Sequence, residues 1–187
     1  LQQIEHGTIT ILAGYQSLGR LYRGIIENSL RQYVHLGDAS TITDNRKYNP
    51  ELKKDEVTAH ESGVLDDRLV FTEENPWREM GVAEALATGA RVLKGFNDTL
   101  SVQSLQAAEA IYALVDADKN PRMAGSKAKT AVELFITTGK TNYRADILKY
   151  TTPEVLKRND VIGYLGRVFR QIGDSKLTEM VLAAAKN

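Results

Sequence analysis

The chain has 187 residues, of which 42% are hydrophobic and 26% are charged, with 24 basic and 24 acidic side chains. This length fits one domain with a sizeable core, and zero formal net charge gives no electrostatic argument for nucleic acid or an anionic membrane as a partner. The absence of cysteine excludes disulfides, thiolate catalysis and zinc–thiolate sites, and no apolar run approaches membrane-spanning length.

The first residues indicate a chain taken from a longer protein. The sequence begins with Leu1 instead of an initiator methionine, and LQQIEHG runs into a helical pattern with neither a capping residue nor a signal sequence. We therefore expect a fragment of a longer domain, with a processed precursor as the alternative.

The first predicted element is a helix over residues 4–22. One of its faces carries apolar and aromatic residues at helical spacing, namely Ile4, Ile11, Tyr15, Leu18 and Tyr22. The segment 36–76 that follows shows little helical or strand pattern. It is predicted to be one long irregular loop within a single domain, 1–187. Loops of this length are uncommon unless they are functional or disordered.

From Trp77 onward the pattern is almost wholly helical. Successive apolar stripes run through the following residues: Val82, Leu86, Ala90, Leu93; Leu105, Ala108, Tyr112, Val115; Ala128, Ala131, Phe135; Tyr143, Ile147, Tyr150; Val161, Leu165, Val168, Ile172; Leu177, Val181, Ala184. Gly95 and Gly139 are suited to end helices, and Asn97 and Thr152 to cap the next ones. Such short connections predict an all-α array of antiparallel helical hairpins. Because no fixed repeat is found, we favour a toroid of paired helices over a solenoid.

The long loop contains most of the candidate chemistry, and it is rich in acids: Asp38, Asp44, Glu61, Asp66 and Asp67. Paired carboxylates can divide general-acid and general-base work. Polar loops are acid-rich for other reasons, however, and we expect a neighbouring aspartate to hold Arg68 instead of performing catalysis.

No metal or cofactor site is predicted. The stretch DADKN at 116–120 resembles the start of a calcium loop, but Pro121 stands where glycine is expected and Lys127 where the closing acid is expected. We interpret it as a turn between helices. The three histidines lack metal-ligand spacing, and the sequence contains neither a nucleophile elbow nor a phosphate-binding glycine motif.

Aromatic residues cluster in the first half of the chain. Flat amphipathic rings are good platforms for sugar rings. Core packing is the simpler interpretation for the helical tyrosines, whereas Tyr33, Tyr48 and Trp77, at or in the loop, fit either role.

Four stretches together resemble glycoside hydrolase family 9. These are DDRLVFTEENPW at 66–77, the helical run at 81–115, AVELFITTGKTNYRADIL at 131–148 and DVIGYLGRVFRQIGD at 160–174. The resemblance implies an (α/α)6 toroid, a periplasmic or secreted location, and inverting hydrolysis of β-1,4-linked glucan in the longer protein. It also implies that the loop lines the sugar groove, where Arg68, Trp77, Tyr33, His35 and Asp38 are the candidate substrate-binding residues.

The sequence departs from the family pattern at the motifs that contain the catalytic residues, so the family's catalytic roles cannot be assigned to this chain. The chain has no D-A-G-D motif for the catalytic base, no H-R-P substrate segment, and it ends before any counterpart of the acid glutamate. No catalytic residue is therefore assigned, and whether this chain acts as an enzyme by itself stays open. The alternatives are a non-catalytic carbohydrate-binding or scaffold module, and another sugar-active toroid such as an epimerase or lyase. Helix faces left without partners predict self-association.

Overall fold

The computed structural model describes residues 1–21, 25–26, 34–37, 44, 46–70 and 75–186. The chain divides into two compact units. One unit comprises Leu1–Leu12 with Asn75–Asn187, and the other comprises Ala13–Glu74. The structure is mostly helical, in agreement with the all-α class that the sequence predicted.

The described residues contain eight α-helices. Their bounds are α1 Gln2–Leu18, α2 Pro76–Leu93, α3 Asp98–Leu114, α4 Ala124–Thr138, α5 Thr141–Tyr150, α6 Asn159–Leu165, α7 Phe169–Ile172 and α8 Ser175–Ala184. The first helix ends before residue 22, where the sequence pattern had extended it, because Gly19 takes a left-handed conformation with φ +66°. No described helix is long and apolar enough to cross a membrane.

The predicted helix ends are confirmed where glycine or asparagine marks them. Gly95 and Gly139 have positive φ, a conformation that costs glycine little and other residues more. Gly173, which ends α7, shares it. The side chain of Asn97 accepts a hydrogen bond from the Leu100 amide at 3.0 Å and caps α3. Asp174 caps α8 in the same way. Local chemistry therefore fixes where these helices begin and end.

The core of the helical unit is built from the predicted apolar stripes. Helix α2 packs against α3 and α4, and α4 packs against α5 and α6. The fully buried large side chains include Leu86, Leu93, Ile111, Ile147 and Leu165. Burying each such side chain stabilises the fold by about 1.5–3 kcal/mol, so the core accounts for much of the stability of this unit.

The unit 13–74 contains short strands among its described residues, and the later ones lie in the segment 36–76 that was predicted to be irregular. Strands β1 (Ile25–Ile26), β2 (Val34–Gly37) and β5 (Arg68–Val70) form an antiparallel sheet in the order β1-β5-β2. Strands β3 (Lys47–Tyr48) and β4 (Glu61–Ser62) form a parallel pair. Strands this short carry too little alternation to be recognised from sequence periodicity.

Gly63 follows β4 at a point where two stretches of backbone touch. A Cβ atom at this position would lie 1.8 Å from the carbonyl oxygen of Lys53. That carbonyl already accepts a hydrogen bond from the Glu56 amide at 2.9 Å, so it is fixed by its own turn. The position therefore accepts only glycine.

Candidate functional site

The two predicted binding residues His35 and Arg68 lie on neighbouring strands. In the antiparallel pairing of β2 with β5, His35 is opposite Leu69 and Gly37 is opposite Arg68, with a register shift between the two pairs. The pairing brings the two strands together at the level of the backbone. Tyr33 and Asp38, which flank β2 in sequence, lie outside the described residues.

Trp77 is the second residue of α2 and is 52% exposed. Asn75 caps the helix by accepting a hydrogen bond from the Arg78 amide at 3.1 Å, and Pro76 occupies the first helical position. The sequence left open whether this tryptophan is buried at the start of a helix or available to a ligand. Trp77 does begin the helix, yet about half of its surface is accessible to solvent.

The adjacent acids Asp66 and Asp67 hold the backbone of their own unit. The Asp66 carboxylate accepts a hydrogen bond from the Asp44 amide at 2.6 Å, and that of Asp67 accepts one from the Tyr48 amide at 2.5 Å. The Ser62 hydroxyl and then the Arg46 amide lower the pKa of Asp44. These contacts join residues about 20 positions apart in sequence, which favours a structural role for both acids.

Glu133 is the most heavily bonded carboxylate of the helical unit and is only 2% exposed. It accepts hydrogen bonds from Arg91 at 2.9 Å, from the Thr88 hydroxyl at 3.1 Å, and from Arg167. Burial by itself would raise the pKa of Glu133, but the bonds from Arg167 and Arg91 outweigh it and the pKa is lowered. One buried carboxylate thus joins α2, α4 and the turn between α6 and α7.

A cleft of about 440 Å³ adjoins this cluster. Thr88, Glu133 and Arg167 line it together with Glu84, which accepts a hydrogen bond from the Tyr164 hydroxyl. Burial, followed by the hydrogen bond to Glu84, raises the pKa of Tyr164. The wall of the cleft therefore contains two glutamates and one arginine, and all three take part in hydrogen bonds.

The sequence analysis did not predict the cluster that Glu133 forms with Thr88, Arg91 and Arg167. The available signal was a charged residue inside the apolar run AVELF, because an acid in such a position must be paired when it is buried. Its partners are 34 to 45 residues away in the chain. No local pattern could therefore have identified them.

A buried lysine lies next to the calcium-like stretch at 116–120. Asp116 accepts hydrogen bonds from the amides of Asp118 and Lys119 at 3.0 and 3.3 Å, which makes the stretch the predicted turn. Lys127 is buried and donates to the carbonyl oxygens of Tyr112 and Val115. Burial lowers the pKa of this lysine. Its ammonium group thus lies against the end of α3, and no group of acids and histidines suited to a metal occurs among the described residues.

Comparison with known proteins gives no relative from which a function could be transferred. The chain matches no protein family, no curated protein and no solved structure. The assignment of function therefore depends on the residues themselves and on the contacts they make.

Proposed function

We propose that the chain is a segment of an inverting β-glucan hydrolase resembling glycoside hydrolase family 9. The observation that carries this proposal is the position of Glu133. Its partners Thr88, Arg91 and Arg167 belong to two of the other stretches on which the resemblance rests. If the resemblance were accidental, there would be no reason for these separate stretches to meet around one buried carboxylate. Stretches that are retained because they maintain a common fold are expected to contact one another.

The proposed architecture is part of an (α/α)6 toroid. In this view α2 with α3 and α4 with α5 are successive helical hairpins, which fits the strong packing within each pair and their short connections. The toroid places the loops of one end around a sugar groove. The proposed location of the longer protein is periplasmic or secreted, and its substrate is a β-1,4-linked polysaccharide or oligosaccharide.

The proposed substrate contacts come from the loop and from the start of α2. Trp77 offers an accessible aromatic face, and Arg68 has a planar, permanently charged group that can hold two oxygens at once. Tyr33, His35 and Asp38 are proposed as further contacts from the segment around β2. We assign no catalytic residue, because the counterparts of the family's acid and base are missing from this sequence.

A reducing-sugar assay on β-1,4-glucan tests the proposal with two proteins. The longer protein, expressed from its complete reading frame, is expected to hydrolyse the polymer with inversion. The 187-residue chain is expected to be inactive, because inversion needs an acid and a base on opposite sides of the bond. An inactive longer protein contradicts the proposal. The proposal is also contradicted if the 187-residue chain releases sugar and if Asp38→Asn or Asp66→Asn abolishes that release.

The second candidate is a non-catalytic carbohydrate-binding or scaffold module. It is favoured because the buried carboxylates are engaged in structural contacts. Glu133 is bound by arginines, and Asp67 accepts a hydrogen bond from a backbone amide. A reading frame that starts and stops at the ends of this chain, with oligosaccharide binding and no hydrolysis, would select this candidate.

Self-association is the proposed behaviour of the isolated chain. Exposed apolar side chains include Ile9, Val102, Leu114 and Leu182, and apolar surface without a partner favours association. Light scattering over a wide concentration range is expected to give a mass that rises with concentration. A constant monomer mass would count against a partial toroid.

A further inference from the structure

A groove of about 520 Å³, called here the α6–α8 groove, lies between α6, α8 and the turn that precedes α6. Its wall is mostly apolar, and the apolar wall residues include Pro153, Leu156, Ile162, Met180 and Ala183. All of these residues belong to the helical unit. The groove is separate from the cleft beside Glu133, because the two share no lining residue.

The charged residue in the wall of the groove is Lys157. Its ammonium contacts the Glu154 carboxylate at 2.7 Å, and the two side chains are 72% and 78% exposed. This pair is therefore solvated at the rim, where an ion pair contributes little. What remains of the wall is an apolar surface, which a helix or sheet buries against another element when one is available.

Helix α4 shows how an apolar surface between two helices is covered within the same unit. It packs against both α2 and α3. Thr130 donates a hydrogen bond to the Met80 carbonyl at 3.1 Å, and Thr137 donates one to the Ala87 carbonyl at 3.0 Å. These bonds require α4 to lie close to the α2 backbone. The buried face that allows this approach combines small and apolar residues, including Ala128, Ala131 and Phe135.

Helices α6 and α8 form a second pair with an apolar surface between them. Helix α6 packs against α4 and also against α8. Val161 and Leu165 of α6 are fully buried, whereas Ile162 is partly exposed and lines the groove. The groove is thus bordered by α6 and α8 as α4 is bordered by α2 and α3, but no described helix fills it.

We propose that a helix of the longer protein fills the α6–α8 groove, in the way that α4 packs against α2 and α3. The wall requires an amphipathic helix with small and apolar residues at helical spacing, since the wall is apolar and its lysine is paired with Glu154. This inference rests on the proposed function in one respect, namely that the chain is part of a longer protein. A second copy of this chain and an unrelated protein are the other possible occupants, and the experiment separates them.

Because the chain contains no cysteine, a single introduced thiol can report whether the groove is covered. Ala183→Cys places the thiol at an exposed position of the groove, and Ala113→Cys is the matched control at an exposed position of α3. Each change is made in the 187-residue chain and in the longer protein, and mass spectrometry of the peptides gives the rate of maleimide labelling. In the longer protein the Ala183→Cys thiol should react about tenfold more slowly or less, because the covering helix must first open locally. The Ala113→Cys thiol should react at similar rates in both proteins.

The labelling rates identify the occupant. Equal labelling of Ala183→Cys in the two proteins overturns the proposal. Protection within the 187-residue chain that increases with protein concentration also overturns it, because a second copy is then the occupant. Glucan hydrolysis is measured separately. A longer protein that protects the thiol and hydrolyses no β-1,4-glucan contradicts the proposed function alone, whereas an active one with an unprotected thiol contradicts this inference alone.

Thermal unfolding of Ala183→Glu gives a second measurement that does not depend on labelling. In the 187-residue chain the new carboxylate is at the surface, and the melting temperature should stay within about 2 °C of wild type. In the longer protein the carboxylate is covered by apolar side chains, and the melting temperature should fall by about 4 °C or more. Ala113→Glu should stay within about 2 °C of wild type in both proteins. A fall of equal size in both Ala183→Glu proteins, or no fall in the longer one, contradicts the proposal.

Discussion

The side-chain nitrogen of Lys127 donates a hydrogen bond to the carbonyl oxygen of Tyr112 at 2.5 Å and lies 3.5 Å from the centre of the ring of the same tyrosine. Together with its bond to the Val115 carbonyl at 2.7 Å, the lysine satisfies acceptors at the end of α3 that the helix itself leaves open. A buried ammonium is tolerated here because carbonyl groups and a ring face surround it.

Replacing this lysine should therefore be costly. Lys127→Met keeps the length of the side chain but leaves two acceptors at the end of α3 without their donor, and we expect a loss of about 2–3 kcal/mol in the free energy of unfolding. Lys129→Met on the same helix removes a partly exposed ion pair with Asp160 and should cost about 1 kcal/mol or less. Urea denaturation measures both, and equal midpoints for the two variants would contradict the role given to Lys127.

Glu133→Gln should destabilise the helical unit and change its response to acid. Removing the charge that holds Arg91 and Arg167 should cost about 2–4 kcal/mol at neutral pH. Because the fold lowers the pKa of Glu133, its contribution is fully present above the ordinary value of 4.5. That contribution is lost as the pH falls through the lowered value.

The difference in stability between wild type and Glu133→Gln should therefore shrink as the solution is acidified below about pH 4.5. Denaturation at a series of pH values measures this difference in the free energy of unfolding. The contributions of the other acids cancel, because both proteins contain them. Glu179→Gln, an exposed change on α8, should differ from wild type by no more than about 0.5 kcal/mol throughout. A difference that stays constant into the acid range would show that the charge of Glu133 is not what stabilises the cluster.

Two glycine replacements should have opposite signs. Gly139 ends α4 with φ +67°, and an alanine there should cost about 1–2 kcal/mol because its Cβ opposes the left-handed conformation. Gly81 lies inside α2 with open space around its missing side chain, so Gly81→Ala should stabilise by roughly 0.5–1 kcal/mol. Thermal unfolding gives both signs, and a stabilising Gly139→Ala would refute the assignment of the helix end.

The proposed sugar contacts are tested in the longer protein. Trp77→Ala and Arg68→Ala should each weaken cello-oligosaccharide binding by about 1–3 kcal/mol, which is the range for losing a stacked ring or a charged hydrogen bond. Phe96→Ala is a matched control, because Phe96 is 49% exposed and Trp77 is 52% exposed. If both variants bind cello-oligosaccharides with wild-type affinity, or if Trp77→Ala unfolds, then Arg68 and Trp77 have a structural role and do not bind sugar.

The sequence was sufficient to predict most of the helical unit. Most of the apolar stripes lie on one helix each, although the stripe from Val161 to Ile172 is divided between α6 and α7. The stops at Gly95 and Gly139 depend only on neighbouring residues. These features are local, because a few consecutive side chains determine a helix and its end.

The features that sequence analysis missed depend on contacts across long stretches of chain. The bonds of Glu133 and Lys127 join separate helices, and pairing between β2 and β5 joins residues more than 30 positions apart. Periodicity gives no information about the proposed binding residues, because loop residues have no repeating environment. Their chemistry could be suggested from residue type, but their mutual positions could not.

Gly63 provides a chemical means of separating the two units. Since even a methyl group would collide with the Lys53 carbonyl, Gly63→Ala should disrupt the fold of residues 13–74 while leaving the core of the helical unit untouched. A scan of all substitutions at this position should return a single permitted residue. Such a variant tests whether the two units fold independently. A single added methyl group would unfold the strand-containing unit, and the folding of the helices could then be measured separately.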